Sequence, residues 1–153
     1  MIMSTVSCLQ TLLQEVPHAF RSLSPAEAVQ PRSEGKWSPV QILGHLCDSA
    51  LNNISRFINV QIEPQPLRLT VYDQNGWAEA QHYGSTSPEE VLRFWLSLNE
   101  SVLRIISSLK SDQLALVFLL PEGDTITLEG LIKDYLEHLE HHLGQIFPDL
   151  SFI

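Results

Sequence analysis

Apolar side chains recur along this chain every three to four residues in four separate stretches, the spacing of one buried stripe on an α-helix. The first stretch, about Ser4 to Leu23, sets Val6, Leu9, Leu13, Val16 and Phe20 on one face; Pro17 lies inside it, where the helix kinks or ends early. The second runs from Pro39 to about Val60 with Ile42, Leu46, Ser49, Asn53 and Phe57, and Pro64 and Pro66 stop it soon after. The third, Pro88 to Leu109, carries Val91, Trp95, Leu98, Val102, Ile105 and Ile106. The fourth starts near Thr127, ends before Pro148 and carries Leu128, Leu131, Tyr135, Leu139, Leu143 and Ile146.

The starts are punctuated by Ser-Pro. Ser24-Pro25-Ala26-Glu27, Ser38-Pro39-Val40-Gln41 and Ser87-Pro88-Glu89-Glu90 each offer Ser at the N-cap, Pro at the first helical position and Glu or Gln at the third. That is the pattern of a capping box, with proline where its missing N–H costs nothing. The first box opens only a short turn, because Pro31 follows closely. Two connections read as non-helical. Residues 61–86 form a long crossover with Tyr72, Trp77 and Tyr83, and so long a loop in a compact domain is usually functional. Residues 114–127, with Pro121-Glu122-Gly123-Asp124 between apolar runs, read as a short β-hairpin. The fold class is therefore all-α: a four-helix bundle with a long crossover between helices 2 and 3 and a short hairpin before helix 4. Such bundles build metal sites from side chains on facing helices.

Composition narrows the partners. At 153 residues the chain fits one domain, 1–153, with a well-buried core. A formal net charge of −9 and only 9 scattered Lys and Arg argue against nucleic acid, which needs clustered cations. No apolar run approaches the roughly 20 residues of a bilayer span, so no membrane partner is expected. Met1-Ile2-Met3-Ser4 lacks a basic segment ahead of a long apolar run, so no signal peptide is expected. Cys8 and Cys47 both fall in helical patterns and read as free thiols of a cytoplasmic protein.

The chemistry lies in the histidines. His138 and His142 stand one helical turn apart, about 40° around the axis, and can reach one cation. His45, from a facing helix, would complete a three-nitrogen site with open coordination positions, as catalytic metal centres require. His141 could stand in for His142; the better angular match and the apolar flanks Leu139 and Leu143 favour His142 and leave His141 at the rim. The bland alternatives are a polar surface face beside Glu137 and Glu140, and a core histidine at position 45. Asp48, three residues past His45, reads either as a catalytic general base or orienting carboxylate, or as a solvated surface group. Trp37, Tyr72, Asp73 and Trp77 are candidate walls of a substrate or cofactor pocket, unless they simply pack. Gln145 either orients a ligand or ends the helix, and Cys47 points away from His45. There is no Gly-rich phosphate loop, no GxSxG and no cysteine cluster, so little here is reactive without a metal.

Three ordered blocks carry a resemblance. They are Arg32-Ser33-Glu34-Gly35-Lys36-Trp37-Ser38 with Gln41-Ile42-Leu43-Gly44-His45-Leu46-Cys47-Asp48, then Tyr72-Asp73-Gln74-Asn75-Gly76-Trp77-Ala78, then His138-Leu139-Glu140-His141-His142-Leu143-Gly144-Gln145-Ile146. In this order the chain resembles the DinB/YfiT-like superfamily of small four-helix bundles. The resemblance implies a divalent metal, often nickel or zinc, on His45, His138 and His142, and frequent homodimers. It implies two activities on a small-molecule substrate: metal-dependent hydrolysis, placed first, and transfer of a low-molecular-weight thiol of the bacillithiol or glutathione kind onto an electrophile. A third reading is a non-catalytic, metal-binding, stress-associated dimer. One departure stands out: Glu137 occupies a position where related sequences often carry an aromatic, which leaves pocket shape and substrate open.

Overall fold

Each Ser-Pro signal marks a helix start. A computed structural model describes residues 2–149. Its elements are α1 (Ile2–Arg21), α2 (Pro25–Val29), α3 (Pro39–Ile62), β1 (Leu67–Arg68), α4 (Gln74–Ala80), a 3-10 turn (Tyr83–Ser85), α5 (Pro88–Ser107), α6 (Ser111–Leu114), β2 (Val117–Leu119), β3 (Thr125–Thr127) and α7 (Leu128–Ile146). Ser24, Ser38 and Ser87 cap α2, α3 and α5 by accepting from the backbone N–H three residues on. Glu27 and Gln41 return the reciprocal bond, which completes two of the three expected boxes.

The helix α1 continues through Pro17, which is buried next to Val16. Proline this close to the end of α1 removes one ladder bond, and packing outweighs that loss. The buried position there is Leu12, not the expected Leu13. On α5, Asn99 is buried where Leu98 was expected to be. Its amide nitrogen donates to Trp95 O at 3.0 Å and its oxygen accepts from Tyr135 Oη at 2.6 Å, tying α5 to α7 through a satisfied buried pair.

Helices α1 and α3 each pack against both α5 and α7, so the order around the bundle is α1-α5-α3-α7, with α1 and α3 on a diagonal. Trp95, Phe57, Phe118, Leu92 and Leu139 fill the centre. The crossover departs from expectation: it contains α4, capped by Asp73, whose Oδ1 accepts from Gly76 N at 3.1 Å. It also contributes β1, which pairs parallel to β2 and turns the expected hairpin into a three-stranded sheet ordered β1-β2-β3. The sequence signal for β1 is only two residues, below what periodicity can register. Thr127 ends β3 and also caps α7, so the sheet feeds straight into the last helix. Among the described residues no helix is long and apolar enough to cross a membrane, and both cysteines are free.

Candidate metal centre

Because α3 and α7 are neighbours, the second turn of α3 meets the last turns of α7. His45, His138 and His142 come together there, each offering a ring nitrogen within 4.8 Å of the others. His45 Nε2 lies 3.2 Å from His138 Nε2, and the ring centroids are 5.1, 4.6 and 4.5 Å apart. Two nitrogens each about 2.0–2.1 Å from a tetrahedral cation stand about 3.3 Å apart, so the closest pair is already at bonding spacing. The rings meet edge to face, which lets several lone pairs converge on one point.

Electrostatics agree with a cation site. His45 is fully buried, and burial together with the neighbouring imidazoles pushes His45 and His138 down to about 4. His142 is lowered as well, chiefly by burial. At neutral pH all three rings are therefore uncharged, the state in which imidazole binds metal. The pH dependence of stability follows in sign. In the unfolded chain these groups titrate near 6.5, so it takes up protons first as pH falls. Metal-stripped protein is expected to hold its stability above about pH 6.5 and lose it down to about pH 4. Denaturant midpoints at pH 7.5, 5.5 and 4.5 check this, and a midpoint that rises on acidification contradicts it.

His142, and not His141, joins His45 and His138 in the cluster, and Gln145 lies against its ring. Gln145 Oε1 lies 3.0 Å from His142 Nδ1, and in the tautomer with Nδ1–H donating to that oxygen, Nε2 keeps its lone pair for a cation. The other end of the amide sits 3.5 Å from the exposed His141, whose ring borders His142 but does not join the cluster. Removing such an orienting group typically costs 10- to 100-fold in metal affinity. Gln145→Ala is expected to weaken metal binding by about that factor in competition with a chelator, with helix content unchanged.

Asp48 is fully buried, not solvated. Its Oδ1 accepts from Tyr83 Oη at 2.8 Å and from Gln81 Nε2 at 3.0 Å, while Oδ2 and His45 Nδ1 are buried without a hydrogen-bond partner. Burial raises the carboxyl above its ordinary value, and the two donors oppose that rise. The sequence reading named Tyr83 only as a crossover aromatic and did not single out Gln81; Gly44 was the available signal for the contact. A Cβ at Gly44 would fall 2.3 Å from the Tyr83 ring, so only glycine lets the 3-10 turn seat against α3. Alanine normally favours a helix interior over glycine by about 1 kcal/mol. Here overpacking costs about 1–3 kcal/mol, and the sign reverses. Gly44→Ala is expected to lower the denaturant midpoint; a raised midpoint would show that Tyr83 can move freely.

The aromatic candidates separate into two places. Trp37 is half-buried, with its ring centroid 5.1 Å from that of His45, and lines a cavity of about 460 Å³ together with Ile42, Asn75, His142 and Gln145. Tyr72 and Trp77 pair with each other at 5.7 Å, Tyr72 also receiving the Arg56 guanidinium at 5.9 Å and hydrogen-bonding Ser49 on α3, one residue from Asp48. Asp73 serves as the α4 cap. Cys47 packs in the core, its thiol against Val91 O at 3.8 Å.

Comparison with known proteins follows the same lines. The chain is 27% identical over 140 residues to a Bacillus subtilis protein named "Putative metal-dependent hydrolase YfiT", covering 88% of this chain and 78% of that one. A protein of Halalkalibacterium halodurans with the same descriptive name is 30% identical over 138 residues, covering 89% and 79%. The solved structure of YfiT from Bacillus subtilis, described as a probable metal-dependent hydrolase with an unusual four-helix bundle topology, superposes with a TM-score of 0.85 at 24% identity, over 96% of this chain and 84% of that one. A mycothiol-dependent maleylpyruvate isomerase shares the fold at a TM-score of 0.72 and 11% identity, over 94% of this chain and 60% of its own. The model of the DinB superfamily matches residues 9–146, and the chain belongs to that superfamily.

Proposed function

We propose that this protein is a divalent-metal-dependent hydrolase of a small molecule, with His45, His138 and His142 as the metal ligands. The observation that carries the reading is the convergence of three neutral imidazoles within 4.8 Å. All-imidazole donor sets suit zinc and nickel, and three ligands leave positions open. When bound there, a divalent cation supplies Lewis acidity and makes water acidic enough to ionise near neutral pH. The chain supplies the remainder. Gln145 fixes the His142 ring, Trp37 and Ile42 form an apolar wall of the cavity, and Asp48, whose Oδ2 is buried without a partner, is the carboxylate that takes up a proton. Tyr83 and Gln81 occupy the other oxygen, so the carboxylate presents one defined acceptor. The names of the relatives at 27% and 30% identity support the same reaction class.

The test is elemental analysis of purified protein beside hydrolysis of an ester and amide panel. The expected result is one equivalent of zinc or nickel, with turnover abolished by chelation and restored by the metal. Absence of bound metal, with no affinity for either added ion, sinks the proposal. A second reading draws on the shared fold with the mycothiol-dependent enzyme: a small thiol serves as co-substrate and is transferred onto an electrophile. Turnover that needs added thiol would favour it over hydrolysis.

A further inference from the structure

The cavity beside His142 has a wall of unexpected charge. The chain carries 18 Asp and Glu against 9 Lys and Arg, a net charge of −9. Yet the described residues lining this cavity of about 460 Å³ include Arg32 and Lys36 and no Asp or Glu. Both cations come from the segment just ahead of the α3 cap, which also brings Trp37. The Arg32 guanidinium donates to Ile146 O at the end of α7, so it is held in place, and a cation at a helix C-terminus is electrostatically favoured. Glu27, in the neighbouring groove, feels part of that charge. Lys36 is exposed and takes part in no salt bridge among the described residues. The apolar side chains of the same cavity are Trp37 and Ile42, and His142 lines it as well.

We infer that the substrate of this site is an anionic small molecule, its carboxylate-, sulfonate- or phosphate-like group held by Lys36 and Arg32 at the cavity mouth and its apolar part laid against Trp37, with the reacting bond directed to the histidines. The inference rests on the hydrolase reading for its last element only. In a protein whose overall field repels anions, a local pair of cations is what admits one to the metal. Neutral analogues lack that attraction, so discrimination is set at the mouth and not at the metal. The volume suits a ligand of single-ring size with a short side chain.

The experiment compares two probes of matched shape, benzenesulfonate and methyl phenyl sulfone, chosen because sulfonates and sulfones are poor metal ligands. Binding is measured by calorimetry to wild type, Lys36→Gln, Lys36→Arg and Arg32→Lys, with metal content assayed on the same samples. The expected result is about a tenfold preference of wild type for the sulfonate, the scale of a charge-assisted hydrogen bond. Lys36→Gln should lose most of that preference, Lys36→Arg should retain it, and added salt should weaken it. Equal binding of the two probes to wild type, binding of neither, or a preference untouched by Lys36→Gln would overturn the inference. Metal content separates the two ideas: a sulfonate preference in protein that binds no metal leaves the anion mouth standing and removes the hydrolase reading alone.

Discussion

His138→Ala is expected to retain less than a tenth of the wild-type metal and to lower hydrolysis by about a thousandfold or more. Orienting groups around metal sites are worth 10- to 100-fold, and removing a ligand outright exceeds that. The half-buried side chain lies on a helix whose core contacts are made by Tyr135, Leu139 and Leu143, so the fold should survive. Far-ultraviolet dichroism separates metal loss from unfolding. The reciprocal changes His45→Ala and His142→Ala should behave alike, since the three rings touch one another within 5.1 Å between centroids. By contrast His141→Ala, outside the cluster, should retain stoichiometric metal. A His138→Ala protein with full metal and full turnover would remove the site from consideration.

Asp48→Asn is the second large effect. Loss of a general base typically costs 10²- to 10⁴-fold, and kcat should fall in that range while metal content stays at the wild-type level. The amide keeps an oxygen for the Tyr83 and Gln81 donors, so the seat of the side chain is preserved. Tyr83→Phe removes one of those donors and should have a smaller effect, and it should move the acidic limb of the kcat profile upward. The sign follows from the bond: Tyr83 Oη stabilises the ionised carboxyl, and without it burial raises the group further. An Asp48→Asn enzyme with unchanged kcat would reduce the carboxylate to a structural part.

The four long helices were legible because each has a sustained stripe and three of them, α3, α5 and α7, have a capped start. The residues read from the α7 stripe, Leu128, Leu131, Tyr135, Leu139, Leu143 and Ile146, are all buried. The metal candidates were legible for a related reason: the i, i+4 spacing of His138 and His142 survives translation into three dimensions unchanged. His45 needed a facing helix, and nothing in a linear pattern says which two helices are neighbours. The internal structure of the crossover was less readable. Helix α4 spans only Gln74–Ala80, too short for a stripe, and β1 is defined by a partner far along the chain. Tyr83 and Gln81 act on Asp48 through contacts 35 and 33 residues apart, and such pairs leave no periodic trace. Trp37 lies beside the histidines, whereas Tyr72 and Trp77 form their own pair; composition could not distinguish these two fates.

Strand β1 follows α3 and strand β3 precedes α7, so the sheet is a clasp joining the C-terminal end of one rod to the N-terminal end of the other. The histidines lie toward the opposite end of that same pair, about 15–25 Å away at 1.5 Å per residue. An ion held there would act as the second rivet of a two-point fastening. Chelation would then loosen one end of the pair while the other stays buttoned, and hydrogen exchange should quicken first around the start of α3 and the close of α7.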